Sequence, residues 1–249
     1  MGKIYKILKE INESNNSLKE TITLKTKELI KKQLDEYGIK NYTINNDLTV
    51  DVNGDVDLSD KIIENFNFKF RYIKGDFNVS YTKLKTLEGC PDEIGGNFRC
   101  GNNQLTTLEG APSKIGGHFY CDDNQLISLK GGPTQVGGKY VCDENRIKTL
   151  VGAPKIVNDT FFCSFNLLTT LEGAPSKVGG DFICSDNQLT TLKGAPIEVK
   201  GSFDCSDNDL KDFKYAPKKI GGDFVCSAGG YIKDYTLDSK VSGEIDITK

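Results

Sequence analysis

The sequence predicts an α/β repeat: a solenoid of about ten 21-residue rungs with a parallel β-sheet on one face and a helical cap at the N-terminus. Three observations carry this. Cysteines fall at residues 100, 121, 142, 163, 184, 205 and 226, a constant step of 21. Two residues before each stands an aromatic: Phe98, Phe119, Tyr140, Phe161, Phe182, Phe203 and Phe224. All 7 prolines, from Pro91 to Pro217, keep the same step, as do the asparagines from Asn103 to Asn208. A period of this length without an insertion marks a chain that stacks one small unit on the next.

Taken in order, residues 1–40 have a different character. Ile4, Ile7, Leu8 and Ile11 sit at helical spacing. Ser17-Leu18-Lys19-Glu20 reads as a capping box opening a second helix, which runs to Tyr37 and stops at Gly38. Tyr42, Ile44, Leu48 and Val50 predict a hairpin around Asn45-Asn46-Asp47. The domain reading is therefore a helical cap over 1–40 and a solenoid over 41–249, with a hairpin cap at 41–51 and rungs from 52 to 249. The alternative for the helices is a separate module that binds a partner or dimerises.

One rung reads from Leu171 to Thr191. Its Phe-x-Cys segment puts both outer residues on one face of a short strand. The asparagine three residues after the cysteine can bond to backbone in neighbouring rungs. The Gly-Gly pair is expected to supply positive φ before the strand, and proline to fix the return leg. The step extends back to Phe77 with Val79 and to Val56 with Leu58, and forward to Ile245 with Ile247.

The pattern G-x-F-x-C-x-x-N-x-L resembles the leucine-rich repeat, with Phe182, Cys184, Asn187 and Leu189 at its hallmark positions. The segment Asn41–Asp60, followed by LEGAPxxVGGxFxC units, is similar to leucine-rich-repeat-like proteins encoded by tailed bacteriophages. The resemblance implies the solenoid fold over roughly 41–249 and carries no catalytic residues. Phe and Cys replace the usual leucines, which alters core volume.

Composition narrows the classes. The chain has 249 residues, 37% hydrophobic and 27% charged, with a mean hydropathy of -0.41. It shows no apolar run of membrane-span length, its first ten residues are too charged for a secretory leader, and Lys6 stands where myristoylation wants Ser or Thr. The expectation is a soluble protein of the host cytoplasm. A single histidine, His118, excludes His-based metal sites. The seven periodic cysteines are expected to form a buried column of reduced thiols, too linear for tetrahedral zinc; Cys90, off the period, is expected to be the most accessible. Without a phosphate loop or a nucleophile–base constellation, no enzyme activity and no cofactor are expected.

Recognition is expected on the outward strand positions. Those columns, with the two positions after each cysteine, hold 15 acids against three bases, whereas the chain as a whole holds 35 against 32. Aspartate is common beside turns, so part of this acidity belongs to the scaffold. Mid-face, Tyr120, Val141, Phe162 and Ile183 adjoin, with Phe165 and Leu167 beside them and acids such as Asp122, Asp143, Glu144, Asp181 and Asp204 around them. An apolar centre with a charged rim is what a protein interface needs. Asn158-Asp159, in place of Gly-Gly, offers a local twist as the competing explanation. The resulting expectation is a binding scaffold for a host or phage protein with a basic surface, inhibitory if that protein is a defence factor. The alternative is a structural or assembly component of a phage particle, self-associating through the last rung, as a homodimer for example, or through the N-terminal helices. Nucleic acid is disfavoured by a pI near 5.4, and no membrane partner is expected.

Overall fold

The computed structural model describes residues 16–227 and 236–248. The chain is a parallel β-solenoid of about nine turns behind one N-terminal helix. Helix α1 covers Asn16–Tyr37. At its end Gly38 adopts φ +76°, and the Gly38 and Ile39 amides donate to the Asp35 and Leu34 carbonyls, a closure that glycine makes without strain. The helix already includes Asn16, so Ser17 lies inside it rather than at its cap. The spacing of Ile4, Ile7, Leu8 and Ile11 lies outside the described residues. Ile30 and Leu34 are buried in the same core as the rungs.

Strands β1 (Tyr42–Ile44) and β2 (Val50–Val52) form the antiparallel hairpin read from the sequence. Two parallel ladders then climb the molecule. The first has ten strands: β3 (Val56–Asp57), β5 (Phe77–Asn78), β7 (Phe98–Arg99), β9 (Phe119–Tyr120), β11 (Tyr140–Val141), β13 (Phe161–Phe162), β15 (Phe182–Ile183), β17 (Phe203–Asp204), β19 (Phe224–Ser227) and β21 (Ile245–Thr248). The second continues from β2 through β4 (Phe70–Ile73), β6 (Glu93–Ile94), β8 (Lys114–Ile115) and β10 (Gln135–Val136). It resumes as a separate sheet of β12 (Ile156–Val157), β14 (Lys177–Val178), β16 (Glu198–Val199), β18 (Lys219–Ile220) and β20 (Lys240–Val241).

This second ladder corrects the expectation of a sheet on one face. The dipeptide ahead of each glycine pair is itself extended, first residue exposed and second buried, as in Lys177-Val178, and it pairs in register with its neighbours. The glycine pairs also differ from their expected role. Positive φ belongs to Gly89, Gly110, Gly131, Gly152, Gly173 and Gly194, ahead of the proline leg. The second glycine of a pair is needed for closeness instead. A Cβ on Gly96 would lie 2.7 Å, and one on Gly222 2.9 Å, from the carbonyl carbon of the preceding rung, so only a hydrogen fits between the two backbones.

The core is one ring, one thiol and one amide per rung. Phe161, Phe182 and Phe203 stack at 5.4 and 5.5 Å with planes within 8°. Phe119 and Tyr140 break the stack, meeting edge-on at 77°. Gly132 stands where other rungs carry alanine (Ala111, Ala153, Ala174), and a Cβ there would lie 3.2 Å from the Tyr140 hydroxyl. Asn145 donates to the Cys121, Cys142 and Asp143 carbonyls while its Oδ1 accepts from the Leu126 amide; every rung from Asn124 to Asn208 repeats the tie to the rung before. The periodic cysteines are free and buried, with thiols directed at the next rung's carbonyls, Cys142 to Phe162 at 3.1 Å. Cys90, expected to be accessible, is also fully buried. It occupies the alanine column that packs on the core, and Phe66 abuts the adjacent Gly89, so burial pushes the Cys90 thiol far up.

Candidate interaction surface on the strand face

Each two-residue strand turns its first side chain inward and its second outward. Tyr120, Val141, Phe162, Ile183 and Asp204 therefore stand side by side on β9 to β17, one register position each. All five are half-buried, so the column is a continuous ridge of partly accessible side chains. Three cationic or aromatic neighbours in the outward columns, not among the candidate site residues expected from the sequence, belong to it. Arg99 lies over the Tyr120 ring at 5.4 Å and Lys139 over the Phe162 ring at 5.8 Å, while His118 meets Tyr120 edge-on at 6.1 Å. The available signal was the fixed step, since Lys139 and Phe162 lie one rung apart on adjoining outward columns.

Phe165 lies off the ridge, at the second position after Cys163. It is 56% exposed, and its backbone is left-handed, φ 53°. Each rung places one residue in that conformation: Asp60, Tyr81, Asn102, Asp123, Glu144, Phe165, Asp186 and Asp207. Asp and Asn tolerate it; a phenylalanine there carries a backbone cost of order 1 kcal/mol. Leu167, beside it in sequence, is half-buried.

Most of the acids on this face hold the scaffold together. In the column before the aromatics, each side chain accepts the amide of the next rung: Asp55 from Asp76, Asp76 from Asn97, Asn97 from His118, His118 Nδ1 from Lys139, and Asp181 from Ser202 at 2.8 Å. Lys139 has no acceptor to offer, and the Thr160 amide turns to its own neighbour Asp159 at 2.7 Å. Asp57 and Asp204 accept from Ser59 and Ser206 within their own rungs. The left-handed column accounts for Asp60, Asp123, Asp186 and Asp207.

Asp122 and Asp143 are the exceptions in protonation. They follow Cys121 and Cys142, where other rungs carry serine or glycine. Burial raises both carboxyls. For Asp143 the Ser164 amide opposes the shift while Asp122 and Glu144 add to it, and the result is about 6. Among the described residues no group of three or more His, Cys, Asp or Glu side chains could hold a metal ion, and no helix is long and apolar enough to cross a membrane. No family model matches the chain, and neither does any curated protein or solved structure.

Proposed function

We propose that this chain is a non-catalytic protein-binding scaffold that uses its strand face. The observation that carries the reading is Phe165: an exposed aromatic held in a conformation that disfavours it, beside the in-register ridge Tyr120, Val141, Phe162 and Ile183. The core packing needs none of it, and six rungs use Asp, Asn or Glu at that position instead. Burying two or three such side chains against a partner contributes about 1.5–3 kcal/mol each, enough for a small number of anchors to dominate affinity. Asp143, Asp181 and Asp204 accept backbone amides, and with Asp122 and Glu144 their field favours a partner with a basic surface. The resemblance of the repeat to leucine-rich-repeat-like phage proteins suggests a host or defence protein as that partner, bound and inhibited in the host cytoplasm.

The test is capture from infected-cell lysate with the natural chain and with Tyr120→Asp/Phe162→Asp. A protein retained by the natural chain alone supports the strand face and names the target; equal recovery refutes it. A second reading rests on β21, whose outer edge has no neighbour among the described residues and whose Ile245 is 55% exposed. It is self-association within a phage assembly, and sedimentation at rising concentration, with Ile245→Lys as control, decides it.

A further inference from the structure

The lysines of the second ladder gather towards its C-terminal end. β14, β16, β18 and β20 place Lys177, Glu198, Lys219 and Lys240 in one register, each first in its strand and facing away from the core. Lys218 precedes Lys219, Lys200 follows β16, and Lys214 stands on the turn before Pro217; all of these lysines are exposed. Lys177 lies 3.9 Å from Glu198. Lys200, Lys214, Lys218, Lys219 and Lys240 take part in no ion pair among the described residues. Of the acids nearby, Glu172 pairs with Lys193 at 2.8 Å, Asp212 accepts the Lys214 amide, and Asp238 is exposed at the rim.

Two residues in this region replace glycines that the repeat otherwise keeps. Tyr215 occupies the column of Gly110, Gly131, Gly152, Gly173 and Gly194, whose φ values run from 81° to 107°, and takes φ 70° itself. Left-handed backbone is sterically unfavourable for a tyrosine, and the side chain is 55% exposed, so core packing does not explain it. Lys214 Nζ lies 5.2 Å from the ring centroid. Lys200 stands in the column of Gly95, Gly116, Gly137, Gly179 and Gly221, from which Lys74, Asn158 and Ser242 also depart. A Cβ on Gly179 or Gly221 would lie 2.1 Å from the carbonyl oxygen of the rung below, so the backbone beneath Lys200 has to give way.

A pI near 5.4 belongs to the whole chain, and the acid excess is concentrated on the strand face, 15 against three bases. This end of the second ladder has the opposite sign. Lysine is a compact point charge suited to phosphate oxygens and indifferent to base identity. An exposed ring at the rim of a basic face offers a stacking surface to an unpaired base, which neither an acidic peptide nor a lipid headgroup needs. Among the described residues no helix or ribbon projects from this face to enter a duplex groove. We propose that the face binds single-stranded nucleic acid without sequence preference, with Lys200, Lys218, Lys219 and Lys240 on phosphates and Tyr215 against a base. Ile197, 58% exposed one rung below Lys218, adds an apolar contact. The site is on the second ladder and does not depend on the strand-face reading.

The probe is a labelled oligothymidylate of about 12 nucleotides, titrated with the full chain at about 50 mM salt and read by fluorescence anisotropy. Binding is expected, and its log–log salt slope is about −3 for four phosphate contacts at ~0.7 each. Lys200→Gly/Tyr215→Gly returns both positions to the repeat. It is expected to unfold no more easily than the natural chain and to bind roughly tenfold more weakly. Lys218→Glu/Lys219→Glu, which alters exposed side chains only, weakens binding by roughly tenfold or more. Unlabelled oligothymidylate is expected to displace the probe better than a DNA duplex, polyglutamate or phosphatidylglycerol vesicles at equal charge. No binding at that salt, or undiminished binding in either variant, overturns the proposal. So does equal displacement by a competitor: polyglutamate would point to an acidic protein partner, vesicles to a membrane surface, and the duplex to charge without stacking.

Discussion

The Tyr140 hydroxyl is buried with no hydrogen-bond partner, the single side-chain N or O atom so placed among the described residues. Leaving a donor unsatisfied costs about 1–3 kcal/mol, so Tyr140→Phe is expected to raise the unfolding free energy by about 1 kcal/mol in denaturant titration; a loss would mean that the hydroxyl packs more usefully than it bonds. Asn145→Ala is the opposite case. It strands three carbonyls and one amide in the core and is expected to cost about 3 kcal/mol or more. Asp143 adds a pH dependence with a definite sign. Its carboxyl is raised to about 6 in the fold from an ordinary 3.8, so the fold favours the protonated form. That contribution is complete below about pH 4 and lost as pH rises through 6, on the order of 2–3 kcal/mol. Asp143→Ser is therefore expected to gain stability relative to the natural chain between pH 4.5 and 7.5. A pH-independent difference would show that Asp143 is not strained by ionisation. At this scale the sequence was readable for inward columns, because Phe, Cys and Asn recur at one step. It misled at Cys90, which departs from the cysteine step but falls one step before Ala111, in a column that packs on the core, and is buried there.

Among the elements, the first ladder and the hairpin were legible because strand alternation and the turn around Asn45-Asn46-Asp47 are written in local residue types. The second ladder was hidden by its shortness: a two-residue strand such as Lys177-Val178 has no period of its own to detect. The glycine pairs were visible, yet their reason lies in the rung below, beyond the reach of a local reading. Asn158-Asp159 stood out for the same cause, and its effect proved to be a seam in the second ladder rather than a distortion of the paired strands β11 and β13. The Lys155, Asn158 and Asp159 amides at the seam are expected to exchange roughly tenfold faster than Ser176, Gly179 and Gly180 one rung on. Equal protection would mean that the seam is closed in solution.

For the whole molecule, rungs contact their neighbours and little else, so irregularities are tolerated singly. They are not scattered. Gly132, Lys139, Tyr140, Asn158, Asp159, Phe162 and Phe165 fall within two consecutive rungs near the middle. Tyr140 with Gly132, and Lys139 with Asp159, are compensating pairs that keep those rungs stacked. The acid excess of the strand face, by contrast, is mostly a by-product of amide acceptors and left-handed corners repeated rung after rung. Composition alone could not separate these, because an aspartate that caps an amide and one that meets a partner look the same in a column of letters. Aromatics with no internal role are the more discriminating sign.

The central claim is that Phe165 is held at the expense of the fold for a partner's sake, and one variant separates the two quantities. Phe165→Asn gives the left-handed corner a residue suited to it and removes the exposed ring. The unfolding free energy is expected to rise by about 0.5–1 kcal/mol, while capture of the lysate partner falls by roughly tenfold or more. A variant that is less stable than the natural chain, or that captures the partner equally well, would contradict the account.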